Sequence, residues 1–525
     1  MDNVVALADG SHAFPRSLFG HKDTCLTDGL TAAVETLLPA LEQFTQFDIP
    51  EQAGAKRAEW TAILDEPLPI AGHGAEVVLA TLRDVIVPNG STIGAPGFSG
   101  WVGSMPTTVP SATALAATLA GPNRIFSHSF NFLETIALRW LAELFDIPST
   151  YQGVFVSGGS TANLVGLGAA RQHAAERLGL DAARDGVATI PHPRIYASSE
   201  IHHTAHRAAG VLGLGRHAVV SIPTDATLRM DLGSLKHRLQ QDLAAGYTPV
   251  AIVGVAGSTN TGAIDPLPEL AALCREYHIW FHVDGAYGLP GILDPQVAHL
   301  YGMLADVDSL AVDPHKWLAA PVGCGAVFVR DAHLLQRAFT EEPADYLEGA
   351  NVSSFLRHTD ATTPHSQYTD YGPPFHHFAV EHSAPSRGAL VWAILKEIGV
   401  DGMRARIQRD NAFARHLAQC VQSSPVLELM APVTLSICCF RYVPPALRSR
   451  TDAEALATLN QLNRAILHQL WNDARCVPSG TFVHGAFVIR PCYVNPRTTI
   501  ADVDALVEDV ETLGAELWAR VPSSE

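Results

Sequence analysis

A chain of 525 residues, 47% hydrophobic and 17% charged, carries enough apolar material for more than one packed core, so two or three domains are expected. Its net charge of −18 argues against nucleic acid and anionic membrane surfaces as partners. The eight cysteines are irregularly spaced and form no CxxC pair, which favours a reduced, cytoplasmic setting; no signal peptide and no bilayer-spanning apolar run is visible.

Residues 1–95 read as largely helical. Apolar positions recur at helical spacing over residues 30–38 and 74–87, punctuated by Pro50, Pro67, Pro69 and Pro88. A Gly-rich loop follows at 94–104 and contains Phe98 and Trp101. The spacing predicts a helix over 132–145 that ends before Pro148, with Phe126 and His128 just ahead of it.

From Val154 the pattern becomes short apolar runs alternating with helices. Val154, Phe155 and Val156 lead into Ser157-Gly158-Gly159-Ser160-Thr161 and then a helix through Ala170. A strand, a Gly-rich turn and a helix N-terminus together suit a phosphate: the turn lets backbone N–H groups approach the anion, and the helix dipole favours its charge. The turn is neither a GxGxxG dinucleotide loop nor a GK[ST] P-loop. A strand at 194–198 precedes a helix opening at Glu200-Ile201-His202-His203. His202 and His206 stand four apart and could pair on one helix face, but no third ligand and no HExxH glutamate accompanies them, so no metal is assigned. Residues 250–256 form a fully apolar run, as a strand buried on both faces requires. Its turn, 257–262, carries Thr259.

Two further short strands end in chemistry. Trp280-Phe281-His282-Val283 runs into Asp284-Gly285-Ala286-Tyr287-Gly288, and Ser309-Leu310-Ala311-Val312 runs into Asp313-Pro314-His315-Lys316-Trp317. One lysine amine and one carboxylate thus stand at the ends of predicted strands, downstream of a phosphate-type turn. A pyridoxal phosphate (PLP) enzyme needs this set: the amine forms a Schiff base with the cofactor aldehyde, and the carboxylate keeps the pyridine nitrogen protonated. The chain has only five lysines against many arginines, and Arg cannot form a Schiff base, so a lysine at 316 points to a required amine.

The remaining pattern is a strand at 323–329, a stretch 341–347 containing Tyr346, and a polar, His-rich, aperiodic stretch at 348–378 that reads as an active-site flap or loop. A helix over 385–398 begins the last domain near Arg387. Strands at 435–442 and 486–490 and a closing helix at 500–520, capped by Thr499 or a neighbour, complete it.

The Asp284 and Lys316 motifs resemble the signatures of the group II PLP-dependent amino-acid decarboxylases, the family of aromatic-L-amino-acid, glutamate and histidine decarboxylases. The resemblance runs from about residue 95 to near the C-terminus. It implies an α/β, fold type I PLP-dependent transferase-like chain with a mostly parallel sheet. The arm at 1–95 would pack on the partner subunit of a homodimer, with a PLP-binding large domain at 96–385 and a small α+β domain at 386–525. It further implies that Gly159, Ser160 and His315 hold the phosphate, that His202 stacks on the ring and orients the substrate, and that Thr259, Asp284, Ala286 and Lys316 complete the cofactor site. Asp265 is also matched. The family usually has Asn where this chain has Asp313; a carboxylate beside a phosphate dianion is unfavourable, so Asp313 is expected to face elsewhere or to bond through a water.

By the same resemblance Tyr346 is the acid that returns a proton to Cα after CO₂ leaves, with Tyr368 and Tyr371 as fallbacks. Trp101, Phe98 and Phe126 are candidate walls of a substrate pocket, or else loop and core aromatics. The expected reaction is decarboxylation of an L-amino acid, aromatic side chains favoured. Another PLP carbon–carbon lyase, an aminotransferase, an aldehyde synthase, or a decarboxylase of an acidic or diamino acid are the enzymatic alternatives. A cofactor-binding protein without catalysis is disfavoured by the intact Lys316, Asp284 and His202.

Overall fold

The computed structural model describes residues 4–6, 13–15, 29–46, 57–91, 93–121, 123, 128–339, 375–473 and 475–520. The chain divides into two units, Met1–Thr92 and Ile93–Glu525. In the first, β1 (Val4–Ala6) pairs antiparallel with β2 (Ala13–Pro15). Three helices follow: α1 (Leu30–Gln46), α2 (Arg57–Leu64) and α3 (Gly74–Thr81), the last running on as a π-helical turn, Leu82–Ile86. The helical spacing read over 30–38 and 74–87 is therefore present. None of the side chains of α1 is buried within its own unit.

The second unit opens with a two-residue strand, β3 (Phe98–Ser99), and helices α4 (Thr108–Ala120) and α5 (His128–Phe145). Then comes β4 (Gln152–Val156), α6 (Gly159–Glu176), a short α7 (Ala182–Asp185), β5 (Pro193–Ser198), α8 (Thr204–Val211), β6 (Val219–Ile222), α9 (Leu232–Ala244), β7 (Thr248–Val255), α10 (Leu267–Tyr277), β8 (Trp280–Asp284), β9 (Ser309–Val312), β10 (Gly325–Val329) and α11 (Ala332–Phe339). The seven strands form one sheet in the order β4-β10-β9-β8-β7-β5-β6. β10 runs antiparallel to both neighbours and the other pairings are parallel. Every residue of β8 and β9 is buried, as central strands covered on both faces must be. Because β8 and β9 are adjacent and parallel, their carboxyl ends deliver the Asp284 and Lys316 loops to the same edge, where open α/β sheets place ligands.

Beyond it lie α12 (Gly388–Ser423), β11 (Leu427–Leu429), β12 (Phe440–Tyr442), α13 (Ala453–Asp473), β13 (Val477–Val483), β14 (Ala486–Arg490) and α14 (Ile500–Trp518). The helix read over 385–398 continues as α12 to Ser423, interrupted at Gly399, whose φ is +65°. A regular strand occupies only the last part of the stretch read at 435–442. Ile437 makes one isolated bridge to Cys492, because Pro491 has no N–H with which to continue the ladder. The Gly-rich loop joins this second sheet: β3 pairs parallel with β13, Asn495 Nδ2 donates to Ala95 O at 2.8 Å, and Thr498 Oγ1 donates to Pro96 O at 2.7 Å. The cap of α14 is as read, with the Thr499 N–H donating to Asp502 Oδ2 at 2.8 Å.

Candidate active site

The two signature loops are tied together through their backbones. Asp313 N–H donates to Ala286 O at 3.1 Å, and Gly285 N–H donates to Ala311 O at 3.1 Å. The lysine loop is then anchored from below. Trp317 is fully buried, stacks on Tyr287 at 5.2 Å and donates its Nε1–H to Asp410 Oδ2 of α12 at 2.9 Å. Trp317 thereby fixes the turn from which Lys316 rises into a cavity of about 420 Å³.

That cavity gathers most of the sequence-expected residues. Gly159, Ser160, His202, Thr259, Asp284, Ala286, His315 and Lys316 all line it. Asn163, Thr204 and Asp313, to which the sequence reading gave no role or a role elsewhere, line it too. Asp313 does not turn away: its Oδ2 pairs with Lys316 Nζ at 3.0 Å, and it is only 2% exposed. A Cβ on Gly159 would stand 2.6 Å from Asp313 Oδ2 and 3.0 Å from Ala286 Cβ, so the turn packs against both residues and only glycine fits there.

His315 donates its Nδ1–H to Cys324 O at 2.7 Å, which orients the ring. His202 Nδ1 lies 2.9 Å from Thr204 Oγ1. Burial first, then the neighbouring His203, lowers the His202 pKa from its ordinary value, so the ring is neutral near pH 7. Asp284 accepts from Asn163 Nδ2 at 3.0 Å and from the Ala286 N–H at 3.2 Å.

Other residues singled out from the sequence fall outside this cavity. Phe98 and Trp101 pair edge to face at 6.2 Å, Trp101 is 67% exposed, and neither lines the cavity, because β3 draws their loop to the second sheet. Asp265 is buried and accepts from Met230 N at 2.7 Å and Val255 N at 2.9 Å, clamping the end of β7; burial pushes its pKa up to about 6. Arg387 pairs with Glu381 at 2.6 Å. Phe126, Tyr346, Tyr368 and Tyr371 lie outside the described residues. The one described cluster with metal-ligand spacing is His416, Cys420 and Asp504, on α12 and α14, and His416 already bonds Asp504 at 2.6 Å.

The donor set fits pyridoxal phosphate. An amine suited to an aldehyde and a carboxylate suited to a pyridine nitrogen face one cavity with the N-terminus of α6, whose first N–H groups have no intrahelical acceptor. Asp313 Oδ1 is buried there without a hydrogen-bond partner among the described residues, and a phosphate, which brings no donor, would not supply one. A mostly parallel α/β sheet with such a pocket at its carboxyl edge defines a fold type I PLP enzyme.

Comparison with known proteins narrows this further. Residues 59–443 match the pyridoxal-dependent decarboxylase conserved domain. The chain is 31% identical over 390 residues to an aromatic-L-amino-acid decarboxylase of Bacillus atrophaeus, covering 74% of each. It is 28% identical to an L-2,4-diaminobutyrate decarboxylase of Rhizobium meliloti, covering 86% of this chain and 84% of that one. In fold it is similar to the crystal structure of Oryza sativa TDC with PLP and tryptamine, at TM-score 0.83 and 24% identity over 95% of this chain and all of that one. The chain belongs to the pyridoxal-dependent decarboxylase family, and its chemistry is PLP-dependent decarboxylation of an amino acid. Among the described residues no helix is long and apolar enough to cross a membrane.

Proposed function

We propose that the amino acid this enzyme decarboxylates has an aromatic side chain, and that Lys316, Asp284, His202 and the Gly158–Ser160 turn form its catalytic centre. The observation that carries the reading is their convergence on one cavity of about 420 Å³. Among the described lining residues Lys316 is the sole Lys or Arg, which leaves no cation for a side-chain carboxylate. The similarity to an aromatic-L-amino-acid decarboxylase supports the same substrate class.

When bound, pyridoxal phosphate would supply the electron sink that lets a Cα bond break, and the protein selects that bond by how it orients the amino acid. The chain supplies the rest. Lys316 offers the amine that retains the cofactor, and Asp313 holds that amine at 3.0 Å. Gly159, Ser160 and His315 would hold the phosphate, Asp284 would accept from the pyridine nitrogen, and Thr259 and Ala286 would border the ring. His202, neutral, orients the substrate carboxylate. Tyr346 returns the proton to Cα, a role for which positioned acids contribute about 10²–10⁴-fold. The enzyme works as a cytoplasmic homodimer, with the arm at 1–95 joined to a large domain at 96–385 and a small domain at 386–525.

The test is product analysis by mass spectrometry. PLP-loaded protein is given a panel of L-amino acids, and CO₂, amine, aldehyde and keto acid are scored. Amine with CO₂ from aromatic substrates is expected. Amine only from acidic or diamino substrates overturns the substrate class, and aldehyde or keto acid without amine overturns the role given to Tyr346.

A further inference from the structure

Behind the cavity runs a chain of buried polar side chains with no part in the reading above. Trp280 Nε1 donates to Ser309 Oγ at 2.8 Å, and Ser309 Oγ meets His282 Nδ1 at 2.8 Å. His282 Nε2 meets Asn163 Oδ1 at 2.9 Å, and Asn163 Nδ2 donates to Asp284 Oδ2 at 3.0 Å. A longer contact of 3.5 Å links Asn163 Nδ2 to Thr204 Oγ1, which reaches His202 Nδ1 at 2.9 Å. Trp280, Ser309, His282 and Asn163 are all 3% exposed or less.

The direction of every bond follows from the two ends. Indole N–H is a donor only, and an ionised carboxylate is an acceptor only. Asn163 must therefore turn its NH₂ toward Asp284, since two acceptors 3.0 Å apart would repel. Its carbonyl oxygen then faces His282, so Nε2 carries the hydrogen. His282 is neutral, because burial drives its pKa down to about 4, so Nδ1 is an acceptor. Ser309 fills that acceptor with its one hydrogen and takes the Trp280 N–H on its oxygen. Asn163's second hydrogen faces Thr204 Oγ1 at 3.5 Å, and the Thr204 N–H donates to His202 Nδ1 at 3.4 Å, so Nδ1 is an acceptor and takes the Thr204 hydroxyl hydrogen as well. His202 is thereby left with its hydrogen on Nε2.

The backbone is arranged to hold this chain. Trp280, His282 and Asp284 alternate along β8 and so share one face of the sheet, and Ser309 is the register partner of His282 on β9. Across from them α6 presents Gly166, where a Cβ would stand 2.6 Å from His282 Cε1 and 3.2 Å from Ser309 Oγ. Only glycine leaves room for the imidazole.

We propose that Asn163 is a positioning residue: fed by Trp280, Ser309 and His282, it fixes the rotation of the cofactor-facing Asp284 carboxylate and steadies the Thr204 hydroxyl that, with the Thr204 N–H, holds His202. One amide thus sets the groups that meet the pyridine nitrogen and the substrate. The inference rests on the assignment of Asp284 to the pyridine nitrogen. The ionisable groups that reach the network are Asp284 beside His282, and His203, Asp284, Lys316 and Arg207 around His202.

The test uses Asn163→Leu, Trp280→Phe and Gly166→Ala with Asp284→Asn as reference, each as holoenzyme and as apoenzyme titrated with PLP. The readouts are the PLP dissociation constant, the pH midpoint of the cofactor's visible absorption, kcat and KM. A donor to a charged group is worth about ten-fold or more, so Asn163→Leu is expected to raise the dissociation constant at least about ten-fold, lower kcat and move the midpoint the way Asp284→Asn does. Trp280→Phe, which keeps a ring of similar shape and folds more readily, is expected to move both in the same direction by less, and Gly166→Ala likewise. If Asp284→Asn moves the absorption and Asn163→Leu or Trp280→Phe does not, the relay is overturned and the site assignment stands. If Asp284→Asn leaves the absorption unchanged, the site assignment itself fails. A lower kcat with affinity and midpoint unmoved also overturns the relay, leaving Asn163 a packing role.

Discussion

The pairing of Lys316 with Asp313 makes a sharp prediction for each residue. Lys316→Ala removes the amine, so turnover should be abolished and the cofactor's visible band should be lost; both are read from one spectrophotometric assay. Asp313 presents a buried carboxylate, 3.0 Å from that amine, to a cavity read as holding a phosphate. Asp313→Asn keeps the shape and removes the repulsion. The variant should bind PLP several-fold more tightly, measured by titrating the apoenzyme, while losing some of its hold on Lys316. Weaker binding would mean that Asp313 serves the cofactor through its charge. Lys316 and Asp284 were legible from sequence because their chemistry is rare at the end of an apolar strand. Asn163 and Thr204 were not, because each reads as an ordinary polar residue near a helix start, and only folding shows what they face. The signals that existed were an asparagine, a poor helix former, inside α6 and a histidine among the apolar residues that precede Asp284 in β8.

Among the elements, the alternation of apolar runs and helices from Val154 to Val329 was readable, since parallel strands buried on both faces admit few polar residues. The pairing of β3 with β13 was not, because residues almost 400 positions apart leave no local trace of their contact. The link from α12 to the lysine loop is of the same kind. It runs through Asp410, which accepts from Trp317 Nε1 at 2.9 Å and from Arg409 Nη2 at 2.7 Å. Burial pushes the Asp410 pKa up to about 6, against the partial opposition of Arg409. A carboxyl whose folded pKa is raised contributes stability that is full below its ordinary value of 3.8 and is lost as pH rises through about 6. Asp410→Asn cannot titrate. Its stability relative to the parent should therefore rise by up to about 3 kcal/mol between pH 4 and pH 7, as two shifted units imply. Urea midpoints of the two proteins across that range check this, and the contributions of Asp265 and His282 cancel in the difference. A flat difference would mean that Asp410 is ionised throughout.

At the scale of the whole molecule, the first unit poses a question that its own residues answer. Leu30, Val34, Leu38 and Leu41 recur every three or four positions along α1 and so share one face, yet its own unit leaves all four unburied. A stripe of this kind is unstable in water unless something covers it. A second copy of the chain is the partner that the homodimer reading supplies, and a stable interface of about 1,200–2,000 Å² can accommodate such a helix from each copy. Light scattering of the parent should then give twice the 56.2 kDa chain mass. The double variant Val34→Asp with Leu38→Asp places two charges in the stripe and leaves every residue that lines the lysine pocket unchanged. It should shift the protein toward the single-chain mass. A dimer that survives both charges with full activity would place α1 outside the interface. In that case the apolar stripe would need another occupant, and the homodimer would have to be built on the second unit alone.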